Sequence, residues 1–407
     1  MNAGTPIAGL ALVALLALGW PQAGPARAQD DAAGLARVTI AILDLSPDPR
    51  YDEWGIHPVD IRSSAAVADR RARAGAELGI EDLKQIERVA KARFTLRHEQ
   101  VGDAPAMVAT IEKLKGEGVG LFLIDAPNAV VAEVARATAK AGIALFNVSA
   151  DGDDLRAGDC QAHLFHTAPS QAMKMDALAQ FLVAKKWNRV LILRGPLPDD
   201  VLTSASFERA AKLFGLDIVD RRDFLLGTDP RAREQNDLAF LTGRVGYDAV
   251  MVADAHGEFA LSVPFDTQAP AAVVGAAGLV PRAWHWSYLR HGAPQVHGRF
   301  ERLHGRRMQE ADWGAWIAVR AIGEAAARAK TTDIAGIVAF MKSEQFKIDG
   351  SKGQPLTFRP WDLQLRQPIM LGTENWVTAR APLEGFKHRA NDLDTLGFED
   401  RDKACKF

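Results

Sequence analysis

The stretch GLFLIDAPNAVVAEVARATAKAGIALFNV, residues 120–148, decides the fold. Residues 120–124 are a short apolar run of strand length, residues 129–141 repeat their apolar side chains at helical spacing, and residues 143–148 are a second apolar run. Two strands apolar at nearly every position and joined by one helix predict a βαβ unit of a parallel sheet, since strands buried on both faces lose the polar alternation.

The same rhythm runs outward in both directions. Residues 38–43 and 94–99 read as strands and 65–89 and 106–115 as helices on the N-terminal side. Beyond residue 148, helices at 171–185, 202–214 and 233–242 alternate with strands at 189–193, 217–224 and 248–253. Further on, 271–275 and the alternating Trp284-His285-Trp286 read as short strands, and 296–309 and 313–330 as helices. The fold class expected is α/β, two doubly wound Rossmann-like lobes joined by a hinge, with the late chain completing both sheets. Lobe 1 is placed at 29–167 plus about 284–362 and lobe 2 at 168–283 plus about 363–390. Residues 391–407 are read as a C-terminal tail whose charge favours partial disorder.

The segment 7–20 is uninterrupted and apolar, and Ala26-Arg27-Ala28 offers the small-x-small pattern of a signal-peptidase site. Residues 1–28 are therefore expected to be a cleaved export signal, with cleavage near Ala28 and a periplasmic mature chain. The chain has 49 basic and 51 acidic residues; removing Arg27 with the signal leaves 48 against 51, a net charge of −3. That balance argues against nucleic acid as a partner. The two cysteines, Cys160 and Cys405, form either a disulfide or two free thiols. No Gly-rich phosphate turn, nucleophile elbow, H-E-x-x-H helix or C-x-x-C pair occurs, so no enzyme activity, catalytic residue or metal site is assigned. Asp151, Asp153 and Asp154 lack the Gly and Glu that a calcium loop places further on, and read as a solvated loop.

The order of elements resembles the type I periplasmic solute-binding proteins of the leucine/isoleucine/valine-binding family. Glu53-Trp54-Gly55, the run from Gly75 to Asp82, Asn147-Val148-Ser149-Ala150, and the helix from Trp316 followed by Thr331-Thr332-Asp333 carry the likeness. Where that family has an acidic and aromatic loop after the first strand of lobe 2, this chain has Arg194-Gly195-Pro196-Leu197-Pro198. With a cation there, the divergent branch associated with quinoprotein alcohol dehydrogenase systems is the nearer resemblance. It implies pyrroloquinoline quinone, or a similar aromatic polycarboxylate, as ligand rather than catalytic cofactor, and an ABC permease as partner of a monomer. An amino acid, amide or small organic acid is the alternative ligand. Service as an accessory or delivery partner of a quinoprotein dehydrogenase is the alternative role.

A flat ring with three carboxylates calls for aromatic faces and guanidinium forks near strand ends. Trp54, Tyr51 and Arg50 follow the first strand, and Ser149 and Ala150 offer a hydroxyl and backbone amides after the fourth. Arg194 is the candidate carboxylate clamp, with Arg282, Trp284 or Trp286 reaching the ligand from near an interlobe crossing. Asp125, Asp254 and His256 also follow strands and could bind an amine or hydroxyl.

Overall fold

The structure, a computed structural model, describes residues 1, 34–52, 71–226, 236–402 and 404–405. Leu35–Phe407 forms one compact unit, to which everything below belongs. The expected signal segment lies outside the described residues apart from Met1, and so does Trp54.

Two parallel sheets confirm the α/β reading. The first has strand order β2-β1-β3-β4-β5, from β1 (Ala36–Leu45), β2 (Ala92–Val101), β3 (Leu121–Asp125), β4 (Ala144–Asn147) and β5 (Leu164–His166). The second has order β7-β6-β8-β9, from β6 (Arg189–Arg194), β7 (Asp217–Asp223), β8 (Ala249–Ala253) and β9 (Ala272–Gly275). Both are buried on two faces. Along β1, Val38, Ile40 and Ile42 enter one core and Ala41, Leu43 and Leu45 another. Along β8, Ala249, Met251 and Ala253 face one core and Val250 and Val252 the next. This is the period of two that sends successive side chains to opposite faces.

The helices of the first half are α1 (Pro49–Asp52), α2 (Arg73–Leu83), α3 (Glu87–Ala90), α4 (Ala104–Gly116) and α5 (Asn128–Ala137). Those of the second lobe are α6 (Gln171–Lys185), α7 (Pro198–Phe214), α8 (Leu238–Thr242) and α9 (Val263–Asp266). The late chain adds α10 (Ala293–His304), α11 (Glu310–Ala329) and α12 (Ile334–Met341). The single helix expected over 65–89 is interrupted between Leu83 and Glu87, and its residues 65–70 lie outside the described ones.

The late chain extends neither parallel sheet by a full strand. It touches them through single bridges, His166 with Gln364 and Val274 with Leu279. Its strands β10 (Val280–Arg282), β13 (Ile369–Gly372) and β14 (Val377–Ala381) make a separate antiparallel sheet, and β11 (Ile348–Asp349) pairs with β12 (Pro355–Leu356). Trp284-His285-Trp286 is not a strand; β10 ends at Arg282. Leu363 and Leu365 pack in the core of the first sheet, so the last crossing falls later than residue 363. The crossing strand is β13, which gives Ile369 and Leu371 to the second core and Met370 to the first.

Helix α11 closes the first core against α2, and glycines set their spacing. A Cβ on Gly75 would collide with the Asp312 carbonyl oxygen, one on Gly323 with the Leu83 side chain, and one on Gly79 would lie 2.7 Å from Val319 Cβ. A fully packed core has no slack to absorb such atoms. Gly75→Ala is expected to lower unfolding free energy by about 1–3 kcal/mol in urea titration. Gly116→Ala, at a helix position with nothing within 4 Å of the added carbon, should instead be neutral or stabilising by up to about 1 kcal/mol.

Candidate functional site

In open parallel sheets ligands bind beyond the carboxyl ends of the strands, where the strand order reverses. In the first lobe that point lies between β1 and β3, and four of the expected residues meet there. The Arg50 guanidinium donates to Ser149 Oγ at 2.9 Å, to Asp125 Oδ1 at 3.0 Å and to Asp48 at 2.7–3.2 Å. Tyr51 Oη donates to Asp125 Oδ1 at 2.9 Å, and the Ala72 amide to Asp125 Oδ2 at 2.8 Å. Arg50 and Arg71 lie 5.0 and 5.4 Å from the centre of the Tyr51 ring.

Burial, then the nearby Asp125 carboxylate, pushes the Tyr51 hydroxyl well above its ordinary pKa. Burial alone would lower Arg50, but Asp125, Tyr51 and Asp48 more than reverse this and leave it above its ordinary value. The cluster is therefore a self-paired knot. Asp125 spends both oxygens inside it. Ala150 is likewise committed: its N–H donates to Asn147 Oδ1 and its carbonyl accepts from Asn147 and Arg156, contrary to the expectation of free backbone amides there.

The cavity itself, about 630 Å³, is walled by residues of both lobes, and none of Asp48, Arg50, Tyr51, Asp125 and Ser149 lines it. Asn128 and residues 151–154 line it from the first lobe, α7 and the ends of β8 and β9 from the second, and Val280, Pro281 and Glu310 from the crossing. The solvated-loop reading of Asp151 and Asp153 is corrected. Asp151 accepts from Lys174 Nζ at 3.1 Å and Gln171 Nε2 at 2.9 Å. Asp153 takes the Ala172 amide at 2.8 Å and the Ser206 hydroxyl, tying this loop to α6 and α7. Burial raises its pKa, against the pull of Ser206 and the Ala172 amide. Asp154 alone is exposed. The buried Arg156 shapes the loop by donating to the carbonyls of Ala150, Gly152 and Ala168.

The lining carries carboxylates on Asp151, Asp153, Asp154, Asp199, Asp254 and Glu310, and cations on Lys174 and Arg209. Both cations are already paired, Lys174 with Asp151 and, at 3.8 Å, Glu310, and Arg209 with Asp176 at 2.6 Å. Two acids of the second lobe stand out. Asp254, 6 % exposed, accepts the Ala260 amide on Oδ2, but its buried Oδ1 has no partner. Asp199, at the start of α7, has its pKa raised by partial burial and then by the charge of Asp151 across the cleft. The described lining holds no aromatic side chain.

Arg194 is not a clamp in this cavity. It ends β6 opposite Asp223 of β7, and its fork is taken by that carboxylate at 2.9 and 3.1 Å. Arg282 sits 3.5 Å from Glu310, whose other oxygen accepts the Ala283 amide. Trp284 is buried in the first core beside Trp313, with ring centres 6.5 Å apart. Trp286 lies under the Arg307 guanidinium at 3.7 Å and lines a separate depression with Trp376. His256 is exposed and outside the lining.

Sequence reading missed Lys174, Asp199, Arg209 and Glu310. One signal was available: Lys174 stands near the N-terminus of a helix, where the dipole disfavours a cation and a nearby carboxylate must compensate.

Residues 58–233 match the family model described as periplasmic binding protein. No curated protein sequence matches the chain. An ABC transporter substrate-binding protein from Sphaerobacter thermophilus superposes with TM-score 0.67 at 16 % identity, over 89 % of this chain and 100 % of that one. The fold is that of a type I periplasmic binding protein. A Desulfitobacterium hafniense substrate-binding protein in complex with Leu aligns with TM-score 0.63 at 15 % identity, over 84 % and 99 % of the two chains. A solute-binding protein from Rhodopseudomonas palustris in complex with 3,4-dihydroxybenzoic acid aligns with TM-score 0.62 at 13 % identity, over 83 % and 93 %.

The knot's role is testable as stability. Asp125→Ala leaves Arg50 paired with Asp48 but takes the acceptor from the Tyr51 hydroxyl and the Ala72 amide, and should cost about 3 kcal/mol in denaturant unfolding of ligand-free protein. Arg194→Ala, which breaks only a partly exposed pair, should cost about 1 kcal/mol or less.

Proposed function

We propose that the chain is the substrate-binding component of an ABC-type uptake system in the periplasm, a receptor rather than an enzyme, and that its cleft takes a small molecule bearing a protonated amine. The observation that carries the ligand class is the acidic cleft, with Asp254 Oδ1 buried and unpartnered. A buried carboxylate oxygen without a donor costs free energy that a bound ammonium would recover. Asp199 and Asp151 repel each other across the cleft, so a cation between them favours the closed form over the open one. Differential contact of this kind drives hinge closure, and the closed form is the one offered to a membrane permease. The leucine complex of the Desulfitobacterium neighbour is consistent with an amine-bearing ligand.

An aromatic polycarboxylate such as pyrroloquinoline quinone is the second reading. Lys174 and Arg209 in the cleft favour it, as does the aromatic acid bound by the Rhodopseudomonas neighbour. Against it stand the excess of carboxylates and the pairing of both cations. An accessory role beside a quinoprotein dehydrogenase would need no cleft ligand.

Calorimetric titration of ligand-stripped protein with leucine, lysine, acetamide and pyrroloquinoline quinone separates these. Saturable binding of an amine, weakened about tenfold or more by Asp254→Asn, supports the proposal, since charge-assisted hydrogen bonds contribute about 1.5–3 kcal/mol. Because the Asp199 carboxyl is raised, the same affinity should fall as pH is lowered toward the carboxylate range, where the lost negative charge no longer attracts the amine. Binding of the quinone alone, unaffected by Asp254→Asn, would overturn it.

A further inference from the structure

Residues 391–402 are not a loose tail. Their charge composition favours disorder, but Asp394, Thr395 and Leu396 each meet a specific partner. Leu396 packs in the second lobe's core. On that side Gln180 Nε2 donates to Thr395 Oγ1 at 3.1 Å, and the Gly397 amide donates to Asp176 Oδ2 at 2.6 Å. On the other side Arg359, 1 % exposed, donates to Asp394 at 2.9 Å and to the carbonyls of Leu393 and Leu396 at 3.0 and 2.6 Å. Trp361 Nε1 donates to the Phe398 carbonyl at 3.1 Å. Arg359 and Trp361 belong to the stretch whose Phe358, Leu363 and Leu365 pack in the first lobe's core.

The chain end is then bonded back to the first lobe. Cys405 forms a disulfide with Cys160, with the two Cα atoms 5.6 Å apart, in the loop that follows β4 and also carries Asp151 and Asp153. The same Asp176 carboxylate that holds Gly397 holds Arg209, a residue of the cleft wall. Arg209 also lies 5.3 Å from the centre of the Phe398 ring.

We propose that residues 391–402 with Cys405 form an interlobe strap, gripped by α6 on one side and by Arg359 on the other and closed by the Cys160–Cys405 disulfide, which limits how far the lobes open. Hinge opening moves α6 relative to the edge of the first sheet, and a segment bonded to both resists that displacement. The covalent link makes the resistance persistent, because contacts broken at one end re-form while the chain end stays tethered. Asp176 is the positioning residue through which the strap reaches Arg209.

The test uses ligand-free full-length protein, so it stands apart from the proposed ligand class. Small-angle scattering and hydrogen exchange are compared for the native protein and Cys160→Ala/Cys405→Ala. The strap predicts a larger radius of gyration for the variant, and exchange about tenfold faster at residues 176–180 and 393–397. If circular dichroism finds the double variant unfolded, the native protein is instead reduced after folding with dithiothreitol. Its two thiols become a ring disulfide as both cysteine thiols are released, and the same two readings apply. Unchanged scattering and exchange, with only a lower melting temperature, would overturn the proposal and leave the disulfide a simple staple.

Discussion

A parallel sheet has to be covered on both faces, and that requirement organises this chain. The first sheet is covered on one face by α4 and α5, which follow in sequence, but its other face needs α11 as well as α2. Helix α11 comes only after the whole second parallel sheet has been built. The chain must therefore leave the first sheet, complete the second, and return. Those crossings leave the strand ends of the two sheets facing a shared cavity, with Val280, Pro281 and Glu310 among its lining. The glycines of α2 and α11 serve the same end, since only residues without a Cβ let the returning helix come close enough to seal the core.

Charge placement follows from strand adjacency. A guanidinium at a strand end pairs with the nearest carboxylate, and register decides which one that is. Arg194 stands directly opposite Asp223 on the neighbouring strand and is consumed there. Arg50 is brought between Asp48 and Asp125 by a single turn of helix after β1. What remains toward the cavity is Asp254, whose Oδ1 found no donor, and the pair held apart across the cleft, Asp151 and Asp199. The cleft is thus acidic although the chain as a whole is nearly neutral.

The end of the chain makes the same point. Composition reads residues 391–407 as charged and loosely held, yet one buried arginine, Arg359, satisfies Asp394 and two carbonyls of that segment at once. Composition counts charges. It does not register that a partner 35 residues away in sequence is waiting in the right orientation.

The sequence by itself determined the two parallel sheets, most of their strands and helices to within a few residues, and the strand ends as the place to look for a site. Apolar periodicity is a local signal, and burial on both faces writes it into every strand. It also brought Arg50, Tyr51, Asp125 and Ser149 into consideration, which the fold does gather. Only the tertiary structure decided that these four pair with one another, that Trp284 is core, that Cys160 meets Cys405, and that Asp151, Asp199, Asp254, Lys174, Arg209 and Glu310 wall the cavity. These are contacts between residues tens to hundreds of positions apart, and their outcome depends on which side chains the fold places within reach of one another. Spacing along the chain carries no record of that distance.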